Sequence, residues 1–134
     1  MCNAEGGYRP MKGVLIIAHG SRAKETEATL EAVLSMVKAK LFGQPDQPET
    51  AIECAFMEFS DRTVEKGIST LSAKGVTEIK VVPYFLFTGI HIKEDIPNMV
   101  AECAVNFPSV KITMGKPLGG DERLADILVD RIRN

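Results

Sequence analysis

His19, Glu58 and His91 are the residues whose types and placement allow joint chemistry. They include the only two histidines among the 134 residues. Each follows a short apolar stretch that reads as a strand. Two imidazoles and a carboxylate form a mixed nitrogen and oxygen donor set that suits iron, cobalt, nickel or zinc, whereas magnesium prefers oxygen alone. Neutral imidazole also accepts a proton near pH 7. Taken singly, a histidine in a strand-to-helix turn is more often a satisfied polar residue than a ligand, and a loop glutamate is usually only solvated. Their joint placement changes that reading. Parallel strands bring their carboxyl ends to one edge, where ligands of open α/β sheets bind, so one shared site is expected.

The elements that position these residues read clearly along the chain. Val14-Leu15-Ile16-Ile17 has no polar face, as in a strand buried on both sides, and it delivers Ala18-His19-Gly20-Ser21 at its end. Ser21 is placed to cap a helix from about Ala23 to Phe42, with Leu30, Val33, Leu34, Val37 and Leu41 on one face. The Gly43–Pro48 stretch ends it as a loop. Ala51 to Met57 is the second strand, carrying Glu58 at its end. Ser60 or Asp61 is expected to cap the next helix, with Val64, Ile68 and Leu71 inward and Gly75 as a left-handed C-cap.

Ile79 to Leu86 reads as the third strand, with Pro83 near the end of regular pairing because proline lacks a ladder donor. A turn through Phe87-Thr88-Gly89-Ile90 leads to His91 and a third helix with Ile96, Met99, Val100 and Cys103 inward. Pro97 fits that helix only in its first turn. Val110 to Met114 is the fourth strand, and the last helix carries Leu124, Ile127, Leu128 and Ile132 on one side. The order βαβαβαβα predicts a three-layer α/β sandwich around a four-stranded parallel sheet, with right-handed crossovers. Residues 1–10 are polar and expected as a flexible tail, leaving 11–134 as a single domain.

Composition narrows the function classes. A net charge of −2 gives no global field for nucleic acid, and no apolar run reaches membrane-spanning length. Three widely spaced cysteines fit reduced thiols in the cytoplasm rather than a disulfide framework. The phosphate-loop, dinucleotide-binding and hydrolase-elbow signatures are all missing. A histidine phosphatase places arginine immediately before its strand-end histidine, and here that residue is Ala18.

Several segments together carry a family resemblance. These are Ala18-His19-Gly20-Ser21-Arg22, Ala55-Phe56-Met57-Glu58, Val82-Pro83-Tyr84-Phe85-Leu86, Gly89-Ile90-His91-Ile92-Lys93-Glu94-Asp95-Ile96-Pro97 and Pro117-Leu118-Gly119. From about Met11 onward the chain resembles the small sirohydrochlorin cobaltochelatases, class II tetrapyrrole chelatases related to ferrochelatase. The resemblance implies a chelatase-like half domain that works as a homodimer. Its implied activity is ATP-independent insertion of a divalent metal, Co2+ first among the candidates, into sirohydrochlorin. That ring is a precursor of cobalamin, sirohaem and coenzyme F430. No cofactor beyond the metal substrate is implied. His19 and His91 carry over as metal-binding and proton-removing residues, with Glu58 as the acidic partner. Some small members carry a histidine-rich stretch, and this chain has none.

The implied substrate bears many peripheral carboxylates, so cations are expected at the cleft mouth. Arg22, Arg62 and Lys93 are each close in sequence to a site residue. Ser21, Phe87, Gly89 and Ile90 complete the expected substrate contacts, and Phe59 lies near the same edge. Insertion of Fe2+ or Ni2+ into the same ring is an alternative activity, and a non-catalytic metal or tetrapyrrole carrier is an alternative of another class.

Overall fold

The computed structural model describes residues 11–42, 50–87 and 89–134. The expected N-terminal tail, the Gly43–Pro48 loop, Thr88 and the side chain of His91 lie outside the described residues.

Eight elements alternate: β1 (Met11–Ala18), α1 (Glu25–Phe42), β2 (Ala51–Phe56), α2 (Val64–Ala73), β3 (Val76–Pro83), α3 (Ile90–Ala104), β4 (Lys111–Met114) and α4 (Glu122–Arg133). The strands form one four-stranded sheet in the order β2-β1-β3-β4, and every pairing is parallel. The βαβ alternation leaves no other economical pairing, because each helix must carry the chain back before the next strand starts. Ala18 aligns with Phe56 across β1 and β2, and Ile17 aligns with Pro83 across β1 and β3.

The period of two along β1 divides the core between two faces. Leu15 and Ile17, with Ile79 and Val81 of β3, meet Val64, Ile68 and Leu71 of α2 and Ile96 and Val100 of α3. On the other face Ile52, Cys54 and Phe56 of β2 lie under Leu30 and Leu34 of α1. Each fully buried aliphatic side chain contributes about 1.5–3 kcal/mol. Gly67 lets α2 approach the sheet closely, since a Cβ there would lie 2.6 Å from Leu15 Cδ1.

Several local expectations need correction. β3 starts and stops three residues earlier than the apolar run implied. Its partner β1 ends at Ala18, so after the Tyr84 N–H donates to the Ile17 carbonyl at 2.7 Å no ladder remains for Phe85 and Leu86. Ser21 does not cap α1. Its Oγ accepts the Ala23 N–H at 3.0 Å, closing a turn before the helix begins. Thr63, not Ser60 or Asp61, caps α2 by accepting the Lys66 N–H at 3.2 Å. Pro97 lies inside α3 rather than in its first turn. It has no N–H for the Lys93 carbonyl, but Pro97 and Lys93 are both exposed, so solvent can serve that carbonyl. Gly75 does take the left-handed conformation after α2, with φ 89°. The apolar side of α4 is not buried: no residue of α4 is, and Leu128 and Ile132 are well exposed.

Candidate functional site

The strand order sets where a ligand can sit. From β1 the chain moves outward to β2, then crosses back over β1 to reach β3. Connections therefore leave β1 and β3 in opposite directions, which opens a crevice above their carboxyl ends. His19 emerges from β1 at that crevice. Phe85, two residues past β3, sets its ring 6.4 Å from the imidazole, centroid to centroid, at a 49° tilt.

Glu58 reaches His19 because pairing between the two segments continues past β1 and β2. The Met57 N–H donates to the Ala18 carbonyl at 2.9 Å, and the Glu58 N–H donates to the His19 carbonyl at 3.1 Å. Gly20 permits this approach. Its φ is 101°, and a Cβ there would lie 2.0 Å from the Glu58 carbonyl oxygen. With the backbones side by side, His19 Nε2 and Glu58 Oε2 stand 2.5 Å apart, and 60% and 47% of the two side chains remain exposed. A polar contact this accessible contributes only about 0–1 kcal/mol to stability. The pair sets an imidazole nitrogen and a carboxylate oxygen together on one side of the crevice.

His91 is the second residue of α3, which begins at Ile90. Its side chain lies outside the described residues, and of the three expected residues the structure juxtaposes His19 and Glu58. Among the described residues no three His, Cys, Asp or Glu side chains are grouped closely enough to hold a metal ion.

The expected substrate contacts are distributed unevenly. The Arg22 guanidinium lies 4.8 Å over the Phe59 ring. Arg62 is held by Glu31 of α1 at 3.2 Å rather than standing free at the mouth. Desolvation works to lower the Arg62 pKa, but Cys54 and Glu31 outweigh it and the pKa is raised. Phe87 and Ile90 are exposed. Gly89 precedes α3 and accepts the Lys93 N–H at 3.1 Å. Lys93 lines an apolar cavity of about 160 Å³, walled by Pro83, Ile92, Ile96, Pro97 and Met114.

Two features were not legible in the sequence. Phe85 contacts His19 only because β3 lies beside β1. Phe59 has φ 61° and is the one non-glycine residue among those described with a positive φ; nothing in its neighbours announced that conformation.

The CbiX family model matches residues 13–134. Sirohydrochlorin ferrochelatase of Priestia megaterium is 38% identical over 122 residues, covering 91% of this chain and 44% of that protein. Sirohydrochlorin cobaltochelatase of Methanococcoides burtonii is 33% identical over 127 residues, covering 89% of this chain and 92% of that protein. Among solved structures, the sirohydrochlorin chelatase SirB from Bacillus subtilis subspecies spizizenii in complex with cobalt superposes with a TM-score of 0.80. It is 34% identical, with 92% of this chain and 50% of that one covered. The chain thus spans about half the length of the ferrochelatases it matches, 44% to 55% in three of them.

Proposed function

The chain belongs to the CbiX family, and from that premise we propose that it inserts a divalent metal ion into sirohydrochlorin without ATP. Cobalt is the metal proposed. In support, the alignment with the Methanococcoides cobaltochelatase covers 92% of that protein. The observation that carries the reading is the His19–Glu58 pair, 2.5 Å apart and about half exposed, at the carboxyl ends of β1 and β2.

Metallation exchanges two pyrrole N–H protons for one divalent ion, so charge balances when both protons leave the ring. A weak base must take them while the ion, partly stripped of water, meets the ring face. His19 Nε2 supplies a nitrogen that holds the ion or accepts a proton, and Glu58 stabilises the imidazolium that results or passes the proton to solvent. His91 is proposed as the third member of the set, on the basis of its position at the start of α3. Arg22 and Lys93 are proposed to meet peripheral carboxylates, with Ser21, Phe87, Gly89 and Ile90 along the rim. Arg62 keeps a lesser part in this scheme, because Glu31 already engages it.

The crevice above β1 and β3 is open on one side, and we propose that a second copy of the chain closes it as a symmetric homodimer. The SirB chain, of which this one covers 50%, is long enough for two such domains. The reaction is assigned to the cytoplasm, where Cys54 and Cys103, both free thiols, remain reduced.

The test is anaerobic metallation with Co2+, Fe2+ and Ni2+ offered separately and the product followed by absorbance. Turnover with Co2+ fastest is expected. Faster turnover with Fe2+ or Ni2+ reassigns the metal, and a single stoichiometric binding event without release of product makes the protein a carrier. His91→Ala is expected to abolish insertion with little change in melting temperature, and Glu58→Gln to slow turnover more than it weakens tetrapyrrole binding. Normal insertion by a folded His91→Ala protein removes His91 from the site.

A further inference from the structure

Phe59 adopts a backbone conformation that aromatic residues avoid, and its ring is half exposed, so core burial does not account for it. Residues held in this way cost free energy and persist only where their surroundings fix them. Here the fixing is local and visible. The Phe56 N–H donates to the Arg62 carbonyl at 2.8 Å, and Ser60 Oγ accepts the Arg62 N–H at 3.0 Å. These bonds close the turn that carries Glu58 and Phe59. Pairing of Glu58 with His19 then anchors the turn to the end of β1. The left-handed step at Phe59 presents its ring beneath the Arg22 guanidinium, at 4.8 Å.

Arg22 differs from several other arginines in what it holds. Arg62, Arg123 and Arg131 each engage a carboxylate, whereas Arg22 has no ion pair among the described residues. A ring contact is made through the π face and leaves the planar N–H donors available for a bidentate anion. It also restricts a long, flexible side chain, so less entropy is lost when the anion arrives. Arg22 is three residues past His19, and Phe59 directly follows Glu58. The restrained cation therefore belongs to the same pair of loops as the His19–Glu58 pair.

We infer that Phe59 is a positioning residue that holds Arg22 as a receptor for one peripheral carboxylate of the tetrapyrrole, setting how the ring is turned over His19 and Glu58. The inference rests on the proposed metallation of a carboxylate-bearing ring. It adds a residue that contributes through Arg22 and through no contact of its own with the reacting nitrogens.

The experiment is a fluorescence titration of metal-free sirohydrochlorin with no metal present, alongside steady-state metallation. Five proteins are compared: wild type, Phe59→Tyr, Phe59→Leu, Arg22→Gln and the Arg22→Gln/Phe59→Leu double variant. Loss of one charged hydrogen bond corresponds to about a tenfold weaker Kd. Phe59→Leu and Arg22→Gln are each expected to show that loss in Kd, with a fall in kcat as well because the ring is no longer held in register over His19 and Glu58. The double variant is expected to lose no more than Arg22→Gln alone, and Phe59→Tyr, which keeps the ring, to bind like wild type. Wild-type affinity in Phe59→Leu, or losses that multiply in the double variant, overturns the inference. So does a Phe59→Tyr protein as weak as Phe59→Leu. If Phe59→Leu does not fold, Phe59→Met takes its place, and wild-type affinity in that folded variant overturns the inference. A wild-type protein that binds no tetrapyrrole overturns both this inference and the function beneath it, whereas binding that ignores Arg22 and Phe59 overturns only the inference.

Discussion

Alanine in place of Gly20 puts a methyl carbon 2.0 Å from the carbonyl oxygen of Glu58, against a floor of about 3.0 Å for real Cβ contacts. The obstacle is backbone, so no side chain can rotate out of the way. The two loops must part by about 1 Å, and Gly20 must also leave or strain its φ of 101°. Strain of that kind costs about 1–3 kcal/mol. Parting the loops weakens the hydrogen bonds from Met57 to Ala18 and from Glu58 to His19, each worth about 1 kcal/mol. The expected destabilisation is about 3–5 kcal/mol. At roughly 3–5 °C per kcal/mol for a domain of this size, the melting temperature should fall by roughly 9–25 °C. Displacement of Glu58 from His19 by about 1 Å should also slow the proposed metallation by about a hundredfold at temperatures where the variant is folded. Thermal melts and initial metallation rates on one preparation check both. A Gly20→Ala protein with wild-type melting and wild-type rate would refute the close approach and its role in holding the pair.

Other outcomes follow from burial. Burial pushes the Cys54 thiol pKa up, with Arg62 opposing and Glu31, Glu53 and Glu27 adding to the rise. A folded pKa above the unfolded value of about 8.5 means full stability below that pH and a decline as pH rises through the folded value. Urea midpoints between pH 8 and 10 should therefore fall less steeply in Cys54→Ala than in wild type; equal slopes count against this. Ile68, 0% exposed between α2 and the sheet, should cost about 2–5 kcal/mol when cut to alanine. Phe87→Ala should change stability by about 0.5 kcal/mol or less, because the ring is 86% exposed, and denaturant melts of the two variants test the contrast.

Hydrophobic patterning and chain order were enough to establish the βαβαβαβα alternation, the parallel sheet and the delivery of His19 and Glu58 to one edge. The reason is local. A run such as Val14–Ile17 can be buried only on both faces, and successive parallel strands end at the same side. What such patterns do not encode is which element lies next to which. The order β2-β1-β3-β4 depends on long-range pairing, and it alone opens the crevice between β1 and β3 and sets Phe85 against His19. Pairing beyond the strand ends, permitted by Gly20, brings Glu58 to 2.5 Å from His19. Arg62 read as a cleft cation because it is near Glu58 in sequence, yet α1 returns Glu31 to it across the fold. α4 has an apolar side in sequence and no residue buried among the described residues. Periodicity reports that a face is apolar, while only the assembled chain determines what, if anything, lies against it.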